Sequence, residues 1–154
     1  MVSSTVTSLH AVRHRSHSPR PSSGRPWRAV LDLDALPTAP GCARAWTRQT
    51  LSEWRLAGLS DTAEVIVSEL ATNAMLASRR IGHQFIRLTL ALDQGELTIM
   101  VRDDCPGCPQ SKDVGDDEEN GRGLFLVEAM SSRSGWHPAG DGTPGKVVWA
   151  ALPR

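Results

Sequence analysis

The chain has three cysteines, Cys42, Cys105 and Cys108. That is too few for the disulfide framework of a small secreted domain. No apolar run approaches the ~20 residues that a membrane span needs. The opening residues lack a long apolar segment followed by a small-residue cleavage site, so no secretory signal is read there. Net charge is also missing: 17 basic residues stand against 17 acidic ones. A balanced chain carries no general attraction for nucleic acid or for a membrane surface. No internal repeat is present. These absences together predict a cytosolic, non-membrane protein that makes no direct contact with nucleic acid. Its 154 residues suffice for one domain with a proper core and not for two.

Acid is absent locally as well. Residues 1–28 hold Arg13, Arg15, Arg20, Arg25 and Arg28 with His10, His14 and His17, and no Asp or Glu. Ser, Pro and Gly fill the gaps, so the segment buries too little apolar area to offset its ordering entropy. The expectation is a disordered basic arm over residues 1–26 and a folded domain over 27–154.

Within the domain, residues 27–33 alternate as a first strand. Thr38 and Pro40 then open a helix whose Ala43, Trp46, Thr50, Trp54 and Ala57 recur at helical spacing, with Gly58 placed to stop it. Residues 61–78 are the most informative stretch. Asp61 and Glu64 form a capping-box pattern, and Ala63, Ile66, Val67, Leu70, Ala74 and Ala77 make an apolar stripe. Glu69 and Asn73 lie at one edge of that stripe, i and i+4, with Cβ atoms about 6 Å apart. Packing alone does not call for a carboxylate beside a carboxamide there, although a plain boundary pair is the competing reading.

A hairpin follows. Ile86, Leu88, Leu90 and Leu92 alternate with Phe85, Arg87, Thr89 and Ala91, then Asp93, Gln94 and Gly95 turn the chain, and residues 96–103 return. Leu97, Ile99 and Val101 share the inward side, and the same period of two puts Asp103 there. A buried carboxylate costs free energy unless a donor meets it. Residues 104–123 form a long acidic Gly/Pro loop, ending in Gly121, Arg122 and Gly123 before an apolar helix that starts at Leu124. Glycines at a helix start let backbone N–H groups approach an anion. After Gly135, Trp136, His137 and Pro138 and a turn-rich stretch, residues 146–152 suit a closing strand.

The segments SELATNA, VRDDCPG, NGRGLFLV and GKVVWAAL, in this order, resemble the ATP-binding domain shared by gyrase, heat-shock chaperones, histidine kinases and MutL. Within that superfamily the chain is most similar to the small bacterial anti-sigma factor and serine-kinase regulators. The resemblance spans roughly Trp27 to Leu152 and implies an α+β, two-layer sandwich: a mixed, mostly antiparallel sheet with three main helices on one face. It implies ATP and Mg²⁺ as cofactors. Asn73 would offer its side-chain oxygen to Mg²⁺, and Glu69 would act as general base. Asp103 would accept the adenine amine, and Gly107 would let the backbone approach the base. Gly121, Arg122, Gly123 and Leu124 would form the phosphate-facing helix start. Lys146 follows Gly145 in the last motif, either on phosphate or facing solvent.

The implied protein partner is a sigma factor or its antagonist, with serine phosphorylation on that partner and homodimer formation left open. Ala77 stands where this subgroup often has histidine, and Cys105 where the broader superfamily has glycine. Two other readings remain: a nucleotide-gated binding module without phosphotransfer, and a thiol or zinc site at Cys105 and Cys108. No second C-x-x-C supports the latter.

Overall fold

The computed structural model describes residues 12–17, for which the backbone alone is considered, together with 26–107, 109, 122–140 and 142–154. In chain order the elements are β1 (Val12–His17), β2 (Trp27–Asp34), α1 (Ala39–Glu53), α2 (Ser60–Arg80), β3 (Phe85–Asp93), β4 (Glu96–Asp103), α3 (Arg122–Met130), β5 (Arg133–Pro138) and β6 (Lys146–Pro153). The strands form one sheet in the order β1-β2-β3-β4-β6-β5. Every pairing between neighbours is antiparallel. The expected α+β layering is present, while the mixed character expected of the sheet is not seen among the described residues.

Alternation of leucine and isoleucine with polar residues sets the two faces. Leu31, Leu33, Ile86, Leu88, Leu90, Leu97, Ile99 and Val101 are fully buried beneath the helices. The β3–β4 turn is tight because Gln94 (φ 47°) and Gly95 (φ 81°) both adopt positive φ, the conformation that matches the twist of a two-residue hairpin. Helix α2 crosses β3, β4 and β6, and α1 packs against α2 and β2. The Trp27 and Trp54 rings meet edge to face at 5.8 Å and tie β2 to the end of α1.

Four local features depart from the expectations or add to them. Helix α1 ends at Glu53, before Gly58. Arg55 turns left-handed (φ 59°), its amide bonds Ser52, and the Leu56 amide bonds Leu51 at 2.8 Å. This is a Schellman cap in which Leu51 and Leu56 both enter the core. Second, α2 begins at Ser60, so Asp61 lies inside the first turn and makes no side-chain cap. Glu64 instead receives two hydrogen bonds from Arg48 on α1, at 2.8 and 2.5 Å. Third, Val12–His17 is not disordered: it pairs along β2 and forms one edge of the sheet. The remainder of the expected arm lies outside the described residues, apart from Pro26. Fourth, the segment containing Gly135 and Trp136 is the opposite edge strand, paired with β6. A Cβ at Gly135 would come within 3.1 Å of the Trp149 ring.

Candidate functional site

Register builds the centre of the site. Strand β4 alternates buried and half-buried residues through to its last position, so Asp103 points inward and is 2% exposed. Strand β6 pairs with β4 so that Lys146 stands directly across from Asp103. Lys146, Val148, Ala150 and Leu152 share the inward side of β6 by the period of two. Lys146 is 5% exposed. Its Nζ donates to Asp103 Oδ1 at 2.8 Å and to the Cys105 carbonyl at 3.2 Å. The Cys105 amide donates to the same Oδ1 at 2.9 Å. Asp103 Oδ2 takes no hydrogen bond from any described residue. Burial pushes the Asp103 carboxyl up from its ordinary range, aided by the charge of Asp104, and outweighs the downward pull of Lys146 and the Cys105 amide.

Gly145 makes this arrangement possible. Its φ of 118° and its close approach to the Asp103 carbonyl oxygen leave no room for a Cβ. A side chain there would push the start of β6 away from the end of β4.

A cavity of about 300 Å³ opens over the pair, between α2 and the ends of β4 and β6. Leu70, Ala74, Ala77, Ile81 and Val148 give it apolar walls, and Asn73, Asp103 and Lys146 supply polar groups. Asn73 makes no hydrogen bond through its side chain to any described residue. Leu124 closes one side and Cys105, Pro106 and Pro109 another.

The expected site residues are therefore only partly gathered. Asn73, Asp103, Leu124 and Lys146 meet in one cavity. Glu69 does not join them. It lines a second opening with Arg44, Asp61, Glu64, Val65 and Ser68. There its carboxylate sits against Gly123, where a Cβ would collide with it. Arg122 and Gly107 are exposed and do not line the cavity, although Gly107 does adopt positive φ (91°). Gly121 and Cys108 lie outside the described residues, as does most of the acidic loop. Lys146 does not face solvent, which corrects one of its two expected placements. Its partner is Asp103, across the ladder.

Sequence reasoning missed Arg80, Ile81 and Val148 as lining residues. Arg80 follows Asn73 at i+7 on α2, and Val148 follows Lys146 at i+2. Helical and strand periods extended from the two anchor residues would have found both.

A half-apolar cavity with a buried acceptor and a buried ammonium side by side suits a flat heterocycle with a hydrogen-bonding edge. The fold and site thus define a small-ligand-binding α+β sandwich. A family model, that of the histidine kinase-like ATPase domain, matches residues 31–151, and the chain belongs to that family. Domains of this family bind ATP, usually with Mg²⁺. No curated protein matches the chain. No helix among the described residues is long and apolar enough to cross a membrane.

Proposed function

We propose that this protein is an ATP·Mg²⁺-binding regulator of the anti-sigma factor and serine-kinase kind, which engages a sigma factor or its antagonist in a nucleotide-dependent way. The observation that carries the nucleotide reading is the Oδ2 of Asp103, which no described residue bonds, at the wall of the cavity. An ionised carboxylate with one oxygen anchored and the other open is an acceptor aimed at an exocyclic amine. The donor set fits the expected ligands. Asn73 offers one uncharged oxygen, which suits a Mg²⁺ ion that keeps most of its waters and the phosphate oxygens. Mg²⁺, when bound, would offset phosphate charge. The regulator subtype rests on the order of the four sequence segments. In this reading the site is the nucleotide switch and the partner surface lies elsewhere.

A second reading has specific support. Glu69 faces a different opening from Asn73 and lies against Gly123, so Glu69 is not held toward the cavity in this conformation. That favours a binding module that senses nucleotide without transferring phosphate.

Calorimetry on the full chain tests the first reading: ATP with Mg²⁺ is expected to bind. Asp103→Asn is expected to weaken it by about 1.5–3 kcal/mol, the scale of a hydrogen bond to a charged group. Absence of binding by the wild type would refute the nucleotide assignment. A phosphate-transfer assay on partners recovered from the native cell separates the two readings. Transfer that falls about 10²–10⁴-fold in Glu69→Ala, with ATP affinity kept within a few-fold, would assign Glu69 as the base. No transfer by a wild type that binds both ATP and partner would establish the binding module.

A further inference from the structure

The cavity wall carries a second buried charge beside the expected acceptor, and that charge has a use of its own. An ammonium group has three N–H donors and no acceptor. Two of those of Lys146 are engaged, by Asp103 Oδ1 and by the Cys105 carbonyl. Lys146 also lines the cavity, so its third donor has only the cavity to face among the described residues. Asp103 mirrors this. Its Oδ1 takes both protein donors and its Oδ2 is left for the cavity.

We propose that Lys146 is a specificity-determining residue that reads the ligand's ring directly, donating to the ring nitrogen next to the amino group that Asp103 accepts. This rests on the nucleotide reading above. The ligand class is then a heterocycle whose edge places one donor beside one acceptor. In adenine the amine is flanked by two such nitrogens, N1 and N7. Asp103 alone would recognise any exposed amine, whereas the pair demands both groups at fixed spacing. Leu70, Ala74, Ala77 and Val148 enclose the ring from the sides, so its edge is the part left to meet the two charges. A ring nitrogen replaced by C–H would leave the Lys146 donor desolvated and unpaired, which is costly inside a protein.

The test compares ATP with 1-deaza-ATP and 7-deaza-ATP by calorimetry, in the wild type and in Lys146→Met. In the wild type, one of the two analogues is expected to bind about ten- to a hundredfold more weakly than ATP, the span of a charge-assisted hydrogen bond. In Lys146→Met that preference is expected to shrink to near unity, and in Lys146→Arg, which keeps the donors, to persist in part. Each ratio is taken within one preparation, so a partly folded variant lowers both affinities alike. If Lys146→Met does not fold, Asp103→Asn/Lys146→Met, which removes both buried charges together, takes its place. Equal affinity of the wild type for all three triphosphates overturns the proposal while leaving the nucleotide reading intact. A preference that survives Lys146→Met unchanged does the same. Failure of the wild type to bind ATP overturns both.

Discussion

Asp103 sets two demands against each other. Its raised native value means that, between the ordinary carboxylate range and that value, the folded protein holds a proton that the unfolded chain has released. The stability this group contributes is fullest below the ordinary carboxylate pKa, and is lost as pH rises through the native value. In the proposed reading, ligand binding needs the ionised acceptor and runs the other way, weakening as pH falls through that value. Lys146 and Asp104 are the charged groups acting on this carboxyl. Compared with Asp103→Asn, the wild type should gain in urea midpoint as pH falls from ~7 to ~4, while its advantage in ATP affinity shrinks. Parallel trends in the two measurements would contradict this account.

Two glycines, one against Glu69 and one beside Asp103, should respond differently to a methyl group. Gly145 combines positive φ with backbone atoms in the way. Gly145→Ala should cost at least ~1–3 kcal/mol, the usual price of a strained backbone conformation. Gly123 meets only the far end of the Glu69 side chain, which can swing aside, and alanine favours the helix by up to about 1 kcal/mol. Gly123→Ala should therefore change stability by less than about 1 kcal/mol. Urea unfolding of both variants, measured side by side, checks the contrast.

At the scale of elements, helix α2 is fixed by its apolar stripe and only trimmed by charge. The Arg48–Glu64 pair joins α1 to α2 with good geometry, yet the Arg48 side chain is 66% exposed. An exposed pair of this kind is screened by water and salt and contributes little. Arg48→Ala should leave the urea midpoint nearly unchanged, with any small loss fading in high salt; a clear loss in chemical denaturation would mean that the pair holds the helices in register. This pair is also why the capping box misled. The pattern at Asp61 and Glu64 is local, whereas the guanidinium that claims Glu64 comes from 16 residues upstream. The end of α1 was hidden for a related reason. Arginine occupies the left-handed cap position that glycine usually marks, and Leu56 entering the core decides where the helix stops. The edge strands β1 and β5, VRHRSH and RSGWHP, escaped because an edge needs backbone pairing on one side and no regular apolar alternation. Strands β2, β3, β4 and β6 were legible because each must bury one face.

For the molecule as a whole, the inward placement of Asp103 could be read from a period of two within one strand. Its pairing with Lys146 could not, because that depends on a register between strands 43 residues apart. The grouping of Glu69 with Asn73 was read from helical spacing, which makes them neighbours on a cylinder without deciding which opening each one faces. The start of α3, laid over Glu69, makes that decision.

The insertion of β6 between β4 and β5 has a consequence for a chain growing on a ribosome. The β3–β4 hairpin and α2 can begin to assemble early, since β2 and α1 are already made and only α3 and β6 are still to come. Asp103 would then sit at the end of an open sheet edge with no cation beside it and one cavity wall absent. Only when the segment from Lys146 onward emerges and slides into its slot do the countercharge, the wall and the final ladder arrive together. The charge pair at the cavity wall therefore awaits completion of the sheet, and an unfinished chain carries only part of the lining.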